Sequence, residues 1–321
     1  MDEQFKLLYD TGIVPVINIE DPETAVPLAE ALCAGGLPLI EVTLRNDTAL
    51  QSIERIHRAL PHMTVIAGTI QSVSAVEEAR AAGAVAMVAA GFQEKTVAYC
   101  VGAGIPIIPG CVTPTEIQAA VDLGLKTLKF FPAGRYGGVA ALKDLSGPFG
   151  NVRFVPTGGI GMDELGSYLS CDAVAAVGGS FVAKADVIAC HDWETITGNC
   201  KRAIALSLGF ELAHIGLNHG DKEEALEAAR ALNARFPMGV QVGNGKSSFL
   251  GTAVELMHTP YYGTNGHIAF RTNSVERAKA YFEKQGFAIR EDSISYDKKG
   301  AMKFFYLRDE VDGFALHVVK K

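Results

Sequence analysis

The hydrophobic residues in the N-terminal part of the chain recur as short apolar runs, about 20–25 residues apart, with amphipathic stretches between them. The eight runs are GIVPVINI (12–19), LIEVTL (39–44), TVIAGT (64–69), AMVAAG (86–91), PIIPGC (106–111), TLKFFP (127–132), RFVPTGG (153–159) and AVAAVGGS (173–180). They are apolar on both faces instead of alternating, which is typical of parallel strands buried on both sides. The pattern therefore predicts eight parallel strands.

The stretches between these runs carry helix signals. Asp21 and Thr113 each precede a proline, which is a common way for a helix to begin. Glycines stand where the helical patterns stop, at Gly35, Gly83, Gly104 and Gly124. Eight β/α repeats in about 200 residues predict a compact (β/α)8 TIM barrel. A doubly wound open sheet is the alternative.

The pattern changes after the barrel-type helix that ends near residue 208. From there the order strand, helix and three strands occurs twice, with first strands ELAHIGLN (211–218) and GHIAFRT (266–272). This internal duplication predicts a separate α+β domain of two β-α-β-β-β modules. The expected domains are therefore residues 1–208 and residues 209–321.

Composition narrows the class of protein. Of the 321 residues, 48% are hydrophobic and 20% are charged, as in ordinary globular proteins. Residues 1–207 carry 14 Lys/Arg against 22 Asp/Glu (net −8), and residues 208–321 carry 15 against 14 (net +1). Neither part has a basic stripe with interleaved aromatic residues, so we expect no nucleic-acid partner.

The expected compartment is the cytosol. The N-terminus lacks a basic start followed by an apolar run, and no stretch approaches the roughly 18 apolar residues that span a bilayer, so no membrane association is expected. The six cysteines form no CxxC pair, which favours reduced structural thiols.

Polar residues stand at the ends of the predicted strands, where TIM barrels carry their reactive groups. Lys129 lies within the apolar run TLKFFP. A charged lysine is costly to bury, so its amine either reaches the surface or is neutral, and a neutral amine can attack a keto carbon to form an iminium. Glu41, on another strand, can accept or donate a proton directly or through a water. The simpler alternative is that both side chains are ordinary exposed residues.

Two glycine turns suggest an anion site. Gly158-Gly159 follow the seventh predicted strand, and Gly178-Gly179-Ser180 follow the eighth. Many barrels bind phosphate at these positions through backbone N–H groups. Glycine pairs also occur in ordinary tight turns, but two of them at these strands predict a phosphate site.

The motifs EVTLR, LKFFPA and PTGGI, in this order, resemble those of the 2-keto-3-deoxy-6-phosphogluconate (KDPG) and 4-hydroxy-2-oxoglutarate (KHG) aldolase family over about residues 8–205. The resemblance implies a class I, metal-independent aldolase on a TIM barrel. Its substrates would be 2-keto-4-hydroxy acids, which it would cleave to pyruvate and an aldehyde. The expected assembly is a homotrimer.

The resemblance also implies roles for individual residues. Lys129 would form the Schiff base and Glu41 would be the general acid/base. Arg45 and Thr69 would contact the pyruvate carboxylate, and Thr157 would orient the pyruvate half. The residues that would hold a distal phosphate are Gly158, Gly159, Gly179 and Ser180.

Three positions depart from the family pattern. Asn18 stands where many members carry a basic residue, AAGFQ replaces an SPG-type motif, and PAGRYGG replaces a PAE-type motif. These differences leave the substrate's far end open among a phosphorylated sugar acid, its galactonate isomer and unphosphorylated 4-hydroxy-2-oxoglutarate.

The duplicated second domain resembles the vicinal oxygen chelate superfamily, which includes glyoxalase I. That resemblance implies a divalent metal ion held by the first and last strands of each module. The corresponding residues are His214, Glu255, His267 and His317. Imidazole and carboxylate groups suit Zn, Ni, Fe or Mn, although glyoxalase I commonly has a carboxylate at the position of His317.

Two other functions remain open on the sequence. One is a phosphate-binding barrel isomerase or lyase in which Lys129 has only an electrostatic role. The other is a metabolite sensor governed by the C-terminal domain.

Overall fold

The computed structural model describes residues 3–243, 245–298 and 300–321. The chain divides into two compact units, Met1–Ser207 and Leu208–Lys321. No helix among these described residues is long and apolar enough to cross a membrane.

The first unit contains a β-strand in each of the eight predicted runs. The strands are β1 (Ile13–Ile17), β2 (Leu39–Thr43), β3 (Thr64–Gly68), β4 (Ala86–Val88), β5 (Ile107–Ile108), β6 (Thr127–Phe130), β7 (Arg153–Pro156) and β8 (Val177–Gly179). They are buried almost throughout, as their apolar composition predicts.

Helices alternate with these strands. They are α1 (Lys6–Thr11), α2 (Ala25–Ala34), α3 (Ala49–Ala59), α4 (Val73–Ala81), α5 (Glu94–Gly102), α6 (Pro114–Asp122), α7 (Gly138–Ser146), α8 (Leu165–Leu169), α9 (Ala185–Ala189) and α10 (Trp193–Leu208). The two predicted helix starts are confirmed. Thr113 and Glu116 form a capping box at α6, and Asp21 accepts a hydrogen bond from the Glu23 N–H at a short 3-10 turn before α2. Such caps satisfy backbone donors that would otherwise lack partners.

The eight strands close into a parallel barrel. Strands β5, β4, β3, β2, β1 and β8 form one continuous sheet in that order, and β6 pairs with β7. Isolated parallel bridges complete the ring, from Gly110 to Lys129 between the β5 and β6 segments and from Thr157 to Gly178 between the β7 and β8 segments. The predicted (β/α)8 barrel is therefore confirmed, and the open-sheet alternative is wrong because the ring has no free edge.

The second unit is built from two modules of the same plan. The first contains β9 (Glu211–Leu217), α11 (Lys222–Arg235), β10 (Val240–Val242), β11 (Ser247–Leu250) and β12 (Val254–Met257), and the second contains β13 (Gly266–Thr272), α12 (Val275–Lys284), β14 (Ile289–Tyr296), β15 (Met302–Val311) and β16 (Phe314–Lys320). The strands form one mixed sheet in the order β10, β11, β12, β9, β13, β16, β15, β14.

The two modules join along their first strands. Strands β9 and β13 are antiparallel, with Ile215 opposite Ile268. Within each module the last strand runs parallel to the first, since β12 pairs with β9 and β16 pairs with β13. The four strands in the middle of the sheet are therefore the first and last strands of both modules.

Candidate active site

Lys129 and Glu41 form an ion pair inside the barrel. The distance from Lys129 Nζ to Glu41 Oε1 is 3.1 Å, and the two residues are 5% and 2% exposed. They come from β6 and β2, so the barrel brings together side chains 88 positions apart. The simpler expectation that these are exposed side chains is wrong. A buried pair of this kind must overcome a large desolvation cost, so it contributes little net stability, and its place inside the barrel indicates a chemical role.

Gly68 makes room for the Glu41 carboxylate. It ends β3 and lies opposite Thr43 in the β2–β3 register. A Cβ atom at position 68 would lie 2.4 Å from Glu41 Oε1, which is impossible without a shift. The sequence analysis did not identify this residue, although a glycine inside an apolar strand often marks a close approach.

We expect Gly68→Ala to reduce turnover about 10- to 100-fold, because displacing a catalytic group by about 1 Å has effects of that size. The matched control is Gly198→Ala on α10, since a Cβ atom at Gly198 would meet no atom within 4 Å. The measurement is kcat for pyruvate release from KDPG with both variants. Equal rates for Gly68→Ala and Gly198→Ala would contradict this role of Gly68.

Arg45 and Thr69 lie together at the barrel mouth. Arg45 Nε donates to Thr69 Oγ1 at 3.4 Å. Thr69 has a left-handed backbone, with φ of 64°. This conformation is strained for a β-branched residue by about 1–3 kcal/mol, and such strain concentrates at functional sites. A guanidinium beside a hydroxyl is a suitable pair of donors for a carboxylate.

A cavity of about 340 Å³ opens beside these residues. Its lining includes Arg45 and the residues predicted to orient pyruvate or hold phosphate, which are Thr157, Gly158, Gly159, Gly179 and Ser180. Lys129 and Glu41 are not part of the lining. However, the lining includes Phe131, whose ring centroid is 5.6 Å from Lys129 Nζ. The Phe131 ring is therefore a shared neighbour of the cavity and the amine.

The glycine turn after β7 depends on its residue type. Gly158 and Gly159 have φ values of 89° and 74°, a backbone region that favours glycine. A Cβ atom at Gly158 would lie 2.9 Å from the Phe131 ring. On β8, a Cβ atom at Gly178, a residue of the second predicted glycine turn, would lie 2.5 Å from Thr157 Oγ1, so Gly178 makes room for the Thr157 side chain.

In the second unit, the four predicted metal-binding residues also come together. His214 Nε2 lies 3.1 Å from Glu255 Oε2, and His267 Nε2 lies 3.2 Å from the same oxygen. The two Nε2 atoms are 3.1 Å apart. His317 joins them, since ligand atoms of the three histidines lie within 4.8 Å of one another.

Small residues between the ligand-bearing strands explain this convergence. Gly216 on β9 lies opposite both Glu255 on β12 and His267 on β13. A Cβ atom at Gly216 would lie 2.1 Å from His267 Cε1. Gly216 was missed by the sequence analysis, although it stands two positions after His214, on the same face of the strand.

The protonation of His317 and Glu255 favours metal binding. Burial and the neighbouring rings of His267 and His214 lower the pKa of His317 to about 3, so its ring is neutral at neutral pH. Burial alone would raise the pKa of Glu255, but hydrogen bonds with His214, His267 and Ser247 outweigh it and hold that pKa well below its usual range. Neutral imidazoles and an ionised carboxylate are the forms that bind metal ions.

Several ring nitrogens in the cluster lack hydrogen-bond partners. Among the described residues, His267 Nδ1 and both ring nitrogens of His317 are buried without one. The Tyr306 ring stacks on His317 at 4.2 Å between centroids and an interplanar angle of 5°, so it fixes the imidazole without satisfying its nitrogens. A buried polar group without a partner costs about 1–3 kcal/mol, which a bound cation at His317 would offset.

A parallel (β/α)8 barrel with a buried lysine and glutamate at its mouth is the arrangement of a Schiff-base aldolase. Comparison with known proteins agrees with this class. The family model of the KDPG and KHG aldolases matches residues 5–199, and the chain belongs to this family.

Individual relatives cover the barrel almost completely. The 2-dehydro-3-deoxy-phosphogluconate aldolase of Treponema pallidum is 40% identical over 202 residues, which are 63% of this chain and 96% of that protein. The KHG/KDPG aldolase of Escherichia coli K12 is 40% identical over 192 residues, which are 60% of this chain and 90% of that protein. Among solved structures, the KDPG aldolase of Legionella pneumophila, with pyruvate captured as a covalent carbinolamine intermediate, has a TM-score of 0.61 and 36% identity. It aligns with 62% of this chain over 97% of its own.

Proposed function

We propose that the barrel is a class I aldolase that cleaves KDPG to pyruvate and glyceraldehyde 3-phosphate, KHG to pyruvate and glyoxylate, or both. The observation that carries this proposal is the buried pair of Lys129 on β6 and Glu41 on β2, 3.1 Å apart inside the barrel. The Legionella pneumophila aldolase with its covalent carbinolamine supports the same chemistry for a 36% identical barrel.

The mechanism follows from these two groups. Glu41 takes a proton from the Lys129 ammonium beside it, and the freed amine adds to the C2 keto carbon to give a carbinolamine. Glu41 then returns the proton as the hydroxyl group leaves as water and the iminium forms. Glu41 takes the proton of the C4 hydroxyl, directly or through a water, as the C3–C4 bond breaks. The bonding electrons move into the iminium, leaving an enamine and releasing the aldehyde. Glu41 then gives the proton that it took from the C4 hydroxyl to C3 of the enamine, and hydrolysis of the resulting iminium releases pyruvate and restores the amine.

The other predicted site residues would hold the two ends of the substrate. Arg45 and Thr69 would bind the carboxylate next to C2, and Thr157 would orient the pyruvate half. Gly158, Gly159, Gly179 and Ser180 line one side of the cavity, where backbone N–H groups and a hydroxyl would bind a distal phosphate or carboxylate.

The direct test is to trap the iminium. The full-length protein is incubated with pyruvate and sodium borohydride, and the reduced adduct is located by intact and peptide mass spectrometry. We expect one adduct per chain, on the peptide that contains Lys129. A folded protein without an adduct would overturn the covalent mechanism and favour a barrel in which Lys129 acts only electrostatically.

For the second unit we propose a vicinal oxygen chelate-like domain that binds a divalent metal ion through His214, Glu255, His267 and His317. Ligands held at about 2.0–2.1 Å around Zn²⁺ in a tetrahedron lie about 3.3 Å apart. The separations of 3.1 and 3.2 Å between Glu255 and the two nearest histidines agree with this spacing. A bound ion would also give His317 the partner that its ring lacks.

We expect about one metal ion per chain after chelator treatment, reloading with Zn²⁺, Ni²⁺ or Mn²⁺ and desalting, and a loss of most of it in His267→Ala. His219→Ala is the matched control, because this half-buried histidine lies outside the cluster and its Nδ1 is hydrogen-bonded to the Leu217 carbonyl. Metal content by mass spectrometry is the measurement. Equal metal content in the two variants would contradict the proposed site.

A further inference from the structure

The glycine cradle in the barrel, defined as Gly158, Gly159, Gly179 and Ser180, offers only neutral donors to a distal anion. Among the residues that line the cavity, the one cation is Arg45, which is hydrogen-bonded to Thr69. The same lining contains a carboxylate, Glu20. A phosphate dianion in the cradle would be repelled by Glu20, so a binding site for it needs a further cation.

The loop after β6 is attached directly to this cradle. The Ala133 N–H donates to the Thr157 carbonyl at 2.8 Å, and the Gly134 N–H donates to the Gly158 carbonyl at 3.0 Å. The contact is so close that a Cβ atom at Gly134 would lie 2.9 Å from the Gly159 carbonyl oxygen. The next residue along the chain, Arg135, therefore directly follows a residue that is hydrogen-bonded to the cradle.

Arg135 has a free charge at this position. It is exposed, and within residues 3–243, 245–298 and 300–321 its guanidinium makes no hydrogen bond or ion pair, whereas Arg55, Arg58 and Arg202 all pair with carboxylates. A guanidinium on a flexible three-carbon stem binds phosphate or carboxylate groups through two parallel hydrogen bonds.

We propose that Arg135 is a specificity-determining residue that binds the distal anion of the substrate over the glycine cradle and so selects phosphorylated over unphosphorylated 2-keto-3-deoxy sugar acids. This inference rests on the proposed aldolase function. The loop after β6 would then supply the positive charge that the cradle lacks. This charge would offset the repulsion between Glu20 and the bound anion. Arg135 touches neither C2 nor C4 of the substrate, so the Schiff-base chemistry does not depend on it.

The test compares two substrates, KDPG and unphosphorylated 2-keto-3-deoxygluconate, with the wild-type protein, Arg135→Gln and Arg135→Lys. We expect Arg135→Gln to lower the ratio of kcat/KM for KDPG to that for the unphosphorylated acid by about 10- to 100-fold, mainly through KM. Arg135→Lys should restore part of the ratio because it keeps the charge. Arg58→Gln is the matched control, because Arg58 is an exposed arginine of α3 paired with Glu54, and its ratio should equal that of the wild type.

Borohydride trapping with pyruvate tests the aldolase function separately from the role of Arg135. Pyruvate has no distal group, so Arg135→Gln should trap it as well as the wild type does. Trapping in the wild type together with an unchanged substrate ratio in Arg135→Gln, or an equal loss with both substrates, would overturn the role of Arg135 alone. Failure of the wild type to trap pyruvate would overturn the aldolase function and this inference with it.

Discussion

Replacing Lys129 with alanine should reduce pyruvate release from KDPG by at least about 10⁴-fold, because no other group can supply the covalent electron sink. The reduced pyruvate adduct should disappear in the same variant. Alanine also leaves the buried Glu41 without its partner at 3.1 Å, and breaking a buried pair destabilises a fold by about 3–5 kcal/mol. Loss of activity in this variant could therefore reflect loss of structure.

Lys129→Arg separates these two causes. Arginine keeps a positive charge opposite Glu41, but its guanidinium stays protonated and cannot act as a nucleophile. We expect activity and adduct to be lost as in Lys129→Ala, while the free energy of unfolding, measured by urea denaturation, stays closer to the wild-type value. If Lys129→Arg kept more than about a hundredth of the wild-type rate, the nucleophile would be another group.

The barrel was predictable because each parallel strand is buried on both faces and so reads as an apolar run. Strand lengths were less predictable. The run PIIPGC covers six residues, but β5 contains only Ile107 and Ile108. Pro106 and Pro109 flank these residues and lack the N–H group that a strand ladder uses, so their carbonyls accept bonds from Met87 and Lys129 without extending the strand.

The candidate site was predictable to the level of strand ends, because a barrel gathers the carboxyl ends of all its strands at one mouth. The contact between Lys129 and Glu41 was not, since it depends on which side chains turn inward on strands that are not neighbours. Gly68 was missed, and the contact of Gly178 with Thr157 was not predicted, for the same reason. Their importance comes from Glu41 and Thr157, whose atoms a Cβ would meet, and sequence spacing does not report such contacts.

The convergence of the four proposed metal ligands in the second unit was predictable from symmetry. A duplicated module repeats its first and last strands, and these four strands lie side by side in the sheet. Gly216 lies between Glu255 and His267, and Ala269 lies between His214 and His317. Each small residue stands two positions after a histidine of the same strand. This repeated pattern, a histidine followed two positions later by a small residue, was a sequence signal for where the four side chains meet.

Glu41→Gln should reduce kcat for KDPG cleavage by about 10²- to 10⁴-fold, the usual contribution of a general acid/base. Glutamine has nearly the shape of glutamate and fits beside Gly68, but it cannot take the proton of the C4 hydroxyl. Because the Lys129 amine is intact, we expect borohydride to trap pyruvate in this variant. The measurements are kcat, adduct yield and the rate at which the methyl protons of pyruvate exchange with D₂O by NMR.

Proton exchange tests the role of Glu41 apart from bond cleavage. Exchange at the pyruvate methyl group passes through the same enamine and needs the same proton transfer at C3, so its rate should fall together with kcat in Glu41→Gln. Glu30→Gln is the matched control, since Glu30 is an exposed carboxylate of α2 on the same barrel, and both rates should equal those of the wild type. Exchange at the wild-type rate in Glu41→Gln would mean that another group moves the proton at C3, which would restrict Glu41 to the C4 hydroxyl or to its ion pair with Lys129.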